Sequence, residues 1–146
     1  MVILFSRWIE PTLPDAVEAL LNEALAEGHD WMAEMVTAWQ DTPFIGAGEA
    51  LFLVHAEDML VATAAISADP FVSEDRTGRL RFIYVKAAAR RRGIADQLID
   101  QCLTRGRGRW DRLRLLTENP EAARLYERHG FRRQGGEARV SHCLAL

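Results

Sequence analysis

The stretch from Leu80 to Leu103 constrains the fold more than any other, because an extended run passes directly into a basic loop and then into an amphipathic helix. Aromatic and β-branched residues dominate Leu80-Arg81-Phe82-Ile83-Tyr84-Val85-Lys86, which predicts a strand with Leu80, Phe82 and Tyr84 on one face. Ile94, Leu98, Ile99, Cys102 and Leu103 then recur at three- and four-residue spacing, the stripe of a helix. Gly106 and Gly108, within the run from Arg105 to Arg109, end it.

Between strand and helix stands Ala89-Arg90-Arg91-Arg92-Gly93-Ile94-Ala95. Gly93 lets the backbone turn closely, and the first N–H groups of the following helix have no partner within it. Those donors and the positive end of the helix dipole suit a phosphate or pyrophosphate, and the arginines add charge. Taken alone, such a loop is more often a solvated basic helix start. Neither common phosphate fingerprint is present, since the chain has no GxxxxGK[ST] and no GxGxxG.

A chain of 146 residues is ample for one domain and short for two, so residues 1–146 are read as one unit. With 27% charged residues and a net charge of −3, neither disorder nor a dedicated nucleic-acid binder is indicated. Cys102 and Cys143 offer no disulfide framework or zinc spacing, and His29, His55 and His129 show no metal pattern. The opening segment lacks the features of a signal peptide and no stretch is long enough to span a bilayer, so a cytoplasmic protein without membrane contact is expected.

Along the chain, residues 2–9 read as a strand, residues 15–27 as a helix with Ala16, Leu20, Leu21 and Ala24 inward, and residues 30–40 as a second helix capped by Asp30. Trp31, Met35 and Trp39 fall near one face of that second helix. Residues 51–55 and 60–67 form a hairpin about Glu57-Asp58. Residues 69–78 read as an acidic loop, 111–117 as a strand, and Phe131 and residues 138–146 as the closing strands. The order points to a mixed α and β domain.

A second motif is Asn119-Pro120-Glu121-Ala122-Ala123-Arg124-Leu125-Tyr126-Glu127-Arg128-His129-Gly130-Phe131. Asn119 suits an N-cap, Pro120 the first helical position and Gly130 the left-handed residue past the end. Asn119, Ala122 and Tyr126 lie near one face, combining an amide, a gap and a phenol. Tyr126 on its own is more often a core residue with its hydroxyl at the rim.

Together the two motifs resemble the GNAT family of N-acyltransferases: Val85 with Arg90-Arg91-Arg92-Gly93-Ile94-Ala95 looks like the family's Gln/Arg-x-x-Gly-x-Gly/Ala motif, and the residues from Asn119 to Phe131 look like its tyrosine helix. The resemblance implies an α+β fold: a twisted, mostly antiparallel sheet of six to seven strands, a splayed parallel pair and helices on both faces. It implies acetyl-CoA as co-substrate and no metal, with the pyrophosphate on the backbone N–H groups from Arg91 to Ala95 and with Arg90, Arg91, Arg92, Gly93, Ile94 and Ala95 as cofactor-binding residues. The pantetheine arm would pair with the main chain of Ile83, Tyr84 and Val85 as a peptide adds to a sheet edge. Asn119 would bond the arm, Ala122 would leave it room, and Tyr126 would act as general acid toward the leaving thiol.

The activity so implied is acetyl transfer to a primary amine of a small molecule or peptide. The strand over residues 80–86 lacks the glutamate that some members use as base, so a water chain is expected there, with a carboxylate from residues 69–75 or His142 as the other choices. Asp30, Glu34 and Asp41 beside Trp31 and Trp39 are candidates for holding a cationic acceptor, although solvated acids over core tryptophans fit them better. Homodimers are frequent in such proteins, and no residue here decides the matter. Two rivals are a catalytically silent acyl-CoA sensor and a nucleic-acid module using residues 90–92 and 105–109.

Overall fold

Turn chemistry and alternation build the first half of the sheet. In the computed structural model, which describes residues 2–146 and leaves Met1 outside, β1 (Ile3–Arg7), β2 (Ala50–Ala56) and β3 (Met59–Ala68) pair antiparallel. Glu57 and Asp58 adopt φ of 51° and 72°, the handedness a tight hairpin between twisted strands requires. The hairpin therefore stands where the sequence placed it.

β4 (Thr77–Val85) pairs antiparallel with β3 and parallel with β5 (Arg112–Leu115). The short β6 (Arg132–Arg133) and β7 (His142–Ala145) complete a seven-stranded sheet in the order β1-β2-β3-β4-β5-β7-β6. The expected α+β class, mostly antiparallel with one parallel pair, is thus observed. Two parallel neighbours need a crossover, and helix α3 (Ile94–Gly106) supplies it.

Helices cover both faces. Val17, Leu20 and Ala24 of α1 (Ala16–Ala26) and Met35 and Trp39 of α2 (Glu34–Asp41) pack with Leu51, Leu53, Phe82 and Tyr84. On the other face Ile94, Leu98, Ile99 and Cys102 of α3 pack with Phe52, Val54, Ile66, Leu80 and Leu113, joined by Leu125 and Tyr126 of α4 (Pro120–Arg128). No helix among the described residues is long and apolar enough to cross a membrane.

Three local expectations are corrected. Residues 30–40 are not one helix capped by Asp30: a 3₁₀ turn over Asp30–Ala33 precedes α2, its cap position is His29, and no side chain caps it. The tighter turn rotates Trp31 outward to 42% exposure and brings Met32 inward. β4 begins at Thr77, inside the expected loop, because Thr77, Gly78 and Arg79 find partners in β5. Finally, Leu80 does not share a face with Phe82 and Tyr84; it packs toward α3 and they pack toward α1 and α2. The cause is a bulge, in which the register to β3 shifts between Thr63 and Ala65 and Phe82 takes φ of 57°.

Candidate functional site

The site begins where β4 and β5 part. Their ladder holds only Thr77↔Arg112, Gly78↔Leu113 and Arg79↔Arg114, so beyond Arg79 the β5-facing edge of β4 has no strand partner. The closed end of this fork is tightly built. A Cβ at Gly78 would stand 2.7 Å from Trp110 and 2.8 Å from Leu113, both buried. Arg79 and Arg114, paired across the ladder, are 4% and 3% exposed and share the fully buried carboxylate of Asp69. Asp69 Oδ2 lies 3.3 Å from Arg79 Nη1 and 3.1 Å from Arg114 Nε, and Oδ1 accepts the Phe71 N–H at 2.9 Å. The Arg114 Nε contact is ionic without hydrogen-bond alignment, since that atom has no hydrogen-bond partner.

The open edge of β4 runs into the basic loop. A 3₁₀ turn over Ala87–Ala89 leads to Arg91 at φ of 65° and Gly93 at φ of 75°, two left-handed positions that turn the chain into α3. A Cβ at Gly93 would meet nothing within 4 Å, so glycine is required here by conformation, and the space beside it is open. The first bond into the helix runs from Gln97 N–H to the Gly93 carbonyl at 3.1 Å; the N–H groups of Ile94 and Ala95 precede it, as a helix N-terminus dictates.

Of the three loop arginines, Arg90 has a different task from the expected phosphate contact. Its Nε donates to the Val85 carbonyl at 2.9 Å, its Nη2 pairs with Glu27 at 2.6 Å, and its guanidinium lies over the Tyr84 ring. Arg91 and Arg92 are exposed at the loop tip. Tyr84 contributes backbone to the edge, while its side chain is buried toward α1, donating its hydroxyl to Glu23 and Glu27. Lys86 closes this brace on Glu23 at 2.8 Å. The ammonium of Lys86, with the Ala87 N–H and the Tyr84 hydroxyl, holds the Glu23 carboxyl down to about 2.

Past β5 comes α4, tied to α3 and β7. Asn119 caps it, its side-chain oxygen accepting the Glu121 N–H at 2.9 Å, which leaves the amide nitrogen to donate elsewhere. Ala122 is half-buried. Tyr126 is half-buried, meets Phe131 edge-on at 5.9 Å, and its hydroxyl makes no hydrogen bond among the described residues. Burial, and secondarily the neighbouring Cys102 thiol, push the phenol's pKa upward, so it stays protonated.

Two ties fix this helix. His129 Nε2 hydrogen-bonds Asp96 of α3 at 2.7 Å, and Glu127 bonds His142 Nε2 at 2.8 Å while His142 Nδ1 meets Ser141 at 2.8 Å. His142, 0% exposed with both ring nitrogens engaged, is thereby a strut of the β7–α4 contact. Asp69 is likewise committed to its arginines.

The unpaired edge of β4 thus runs into the N-terminus of α3, whose first turn is tied to the end of α4 through Asp96 and His129. Such an arrangement suits a ligand with backbone-like amides and an anionic group. The proposed acceptor acids do not converge: Asp30, Glu34 and Asp41 are exposed, and Trp39 is 1% exposed with its N–H donated to the Pro11 carbonyl. Among the described residues no group of three or more His, Cys, Asp or Glu is placed to hold a metal. Sequence reasoning missed the bulge and the Asp69, Arg79, Arg81 and Arg114 cluster. Its only trace was arginine at alternate positions of two strands, 79 and 81 and then 112 and 114, where a strand buried on both faces would carry apolar residues.

The profile of the acetyltransferase (GNAT) family matches residues 14–131. None of the curated proteins matches the chain in sequence. Among solved structures, one from Exiguobacterium sp. 255-15 assigned as an acetyltransferase superposes with a TM-score of 0.84 at 25% identity, covering 99% of this chain and 94% of the other. An N-acetyltransferase from Staphylococcus aureus Mu50 gives 0.76 at 17% identity and 99% coverage of both chains. A GNAT family acetyltransferase from Elizabethkingia anophelis with acetyl-CoA bound gives 0.65 at 14% identity, covering 99% of this chain and 98% of that one, and shares the fold.

Proposed function

The chain belongs to the GNAT family of acetyltransferases, and from that premise we propose that it moves the acetyl group of acetyl-CoA onto a primary amine, with Tyr126 serving the departing thiol. The observation that carries this reading is the fork: β4 loses β5 after Arg79, and its free edge is continuous with the left-handed turn into α3. Residues Ile83, Tyr84 and Val85 offer main chain to the pantetheine amides, with the Val85 carbonyl already shared with Arg90. The N–H groups from Arg91 to Ala95 serve the pyrophosphate, and Asn119 and Ala122 flank the arm.

Acetyl-CoA supplies the activated thioester. The amine nitrogen forms the new amide bond, the carbon–sulfur bond breaks, the sulfur leaves as a thiolate that solvent then protonates, and the amine gives up a proton. A free phenol at about 10 against a thiol at about 8.5 already makes full proton transfer from Tyr126 uphill by about 2 kcal/mol. Burial widens that gap. Tyr126 thus acts chiefly as a hydrogen-bond donor that tightens as negative charge gathers on sulfur. With Asp69 and His142 committed to structural partners, water takes the amine's proton.

The same reading takes residues 1–146 as one domain working in the cytoplasm on a soluble amine. Arg105 and Arg109 donate to the carbonyls of Glu49 and Asp75, and Arg90 is paired, which disperses the basic patch that a nucleic-acid module would need. The test is calorimetric titration with acetyl-CoA and a thiol-release assay across amine classes. Acetyl-CoA should bind and at least one class should release thiol; binding with no release from any class favours the sensor. Tyr126→Phe should lower kcat at least about tenfold and leave acetyl-CoA affinity within about twofold. An unchanged kcat removes Tyr126 from the reaction.

A further inference from the structure

Arg81 stands at the bulge, just past the last β4 residue that pairs with β5, on the sheet face that carries Phe82. Its guanidinium lies 5.0 Å from the centroids of both Phe44 and Phe82, and Nη2 donates to Ser67 Oγ at 3.0 Å. Its Nε is buried without a hydrogen-bond partner, and Arg81 forms no ion pair among the described residues. The carboxylates around it are engaged elsewhere or solvated. Asp69 holds Arg79 and Arg114; Glu49 accepts the Gly46 and Ala68 N–H groups at 3.1 and 3.0 Å; Glu34 is exposed on α2. Arg79 adds positive charge beside Arg81, as Arg114 and Arg139 do beside Arg79, while Asp69, Glu49 and Glu34 attract Arg81 without forming an ion pair with it.

A guanidinium taken out of water without a counter-ion burdens the fold, and such a group is retained where a ligand brings the missing charge. Stacked phenyl rings hold the Arg81 fork in place, which reduces the entropy lost when it binds a planar anion. Arg81 also lies on the free part of β4, two residues before the main chain offered to the pantetheine arm in the reaction proposed above. We infer that the acceptor is an amine bearing a carboxylate, and that Arg81 is the residue that binds that carboxylate. The inference rests on the acetyl-transfer reading.

The test pairs amino acids with their primary amides: glycine, β-alanine, γ-aminobutyrate, glutamate and lysine, each assayed for thiol release from acetyl-CoA and for a shift in Tm in the presence of CoA. Wild type is compared with Arg81→Met, which keeps the stem over the rings, and with Arg81→Lys, which keeps the charge. The comparison between proteins cancels the intrinsic difference between each acid and its amide. For the accepted pair, kcat/KM for the acid over the amide should fall by about ten- to a hundredfold in Arg81→Met and be partly restored in Arg81→Lys, with acetyl-CoA affinity unchanged in both. Arg81→Met should melt no lower than wild type, because the change removes an unpaired charge; a residue kept for structure would lower Tm.

A preference that survives Arg81→Met overturns the inference. So does an amide used as well as its acid, or a panel in which no acid reacts or shifts Tm while acetyl-CoA binds. Failure of acetyl-CoA itself to bind is a different result, which removes the acetyl-transfer reading and this inference with it.

Discussion

Asp69→Asn isolates the joint on which the fork is built. The wild-type carboxylate is fully buried between two guanidinium groups that are themselves 5% and 4% exposed at the side chain, and it accepts a backbone N–H as well. Asparagine is nearly isosteric and keeps an oxygen for the Phe71 N–H, so packing is preserved, while the charge is lost and an NH2 donor replaces the oxygen that accepts from Arg79. Two buried cations then face each other across the Arg79↔Arg114 rung, with the half-exposed Glu137, 3.4 Å from Arg114 Nη1, as their remaining ion-pair partner among the described residues.

Breaking a buried pair from one side costs about 3–5 kcal/mol, and the retained amide argues for the lower end, about 3 kcal/mol. In a chain of 146 residues that is a fall in Tm of roughly 10 °C. Calorimetry and urea unfolding should agree on it, and because the pair is buried, added salt should recover little of the loss. Adding Arg114→Leu to the Asp69→Asn variant should return part of the stability by removing one of the two cations. A fall below about 3 °C, or a double variant no better than the single one, would refute the assignment of Asp69 as the charge that holds the joint.

The remaining expectations concern the loop and the α1 brace. Gly93→Val should weaken acetyl-CoA binding more than Arg91→Glu does, since a β-branched residue at φ of 75° distorts the turn whereas charge reversal leaves the backbone donors in place; titration giving the opposite order would shift the anion site from backbone to side chains. Glu23 has its carboxyl held at about 2 by Lys86 first, from an ordinary 4.5, so its contribution is present above pH 4.5 and is lost as the pH falls from there through about 2. Glu23→Gln should therefore cost on the order of 2 kcal/mol at pH 7 and progressively less toward pH 2 in urea unfolding, and a cost independent of pH would exclude the brace.

Local chemistry was legible where a short segment decides its own conformation. Asn119-Pro120 marks a helix start because an amide cap and a residue without an N–H suit those positions, and Gly130 closes it at φ of 95°. The loop motif was legible for the same reason, since Gly93 must be left-handed. The bulge was not. Nothing about Phe82 favours positive φ, and a strand read by alternation keeps Leu80, Phe82 and Tyr84 together, whereas pairing with β3 forces the extra residue out and turns Phe82 and Tyr84 to the opposite face.

The break before α2 was hidden likewise, because no glycine or proline stands within residues 30–41 and the 3₁₀ turn is set by how Met32, Met35 and Trp39 seat on the sheet. Arg90 carries the reverse lesson. Its motif position was legible, but its partners, Glu27 and Tyr84, are far along the chain or across a face. The Asp69 cluster joins residues from a loop and two strands, and composition along the chain holds no record of that meeting.

The fork has a consequence for how the protein breathes. In most sheets the central strands are the last to open, and the edges fray first. Here an edge lies in the middle, flanked by β3 on one side and the departing β5 on the other, so beyond Arg79 the backbone facing the gap has no strand partner, and its Val85 carbonyl is held by Arg90. Its outermost strand, β6, is two arginines long, too short and too charged to recruit a neighbour. The inner edge is shielded from such pairing by recess alone, since a passing chain would have to enter between β4 and α4 to reach it. A seven-stranded sheet thus keeps an unpaired backbone edge near its centre, where hydrogen exchange should be faster than in β2 or β3 and should slow when a ligand bearing amides binds there.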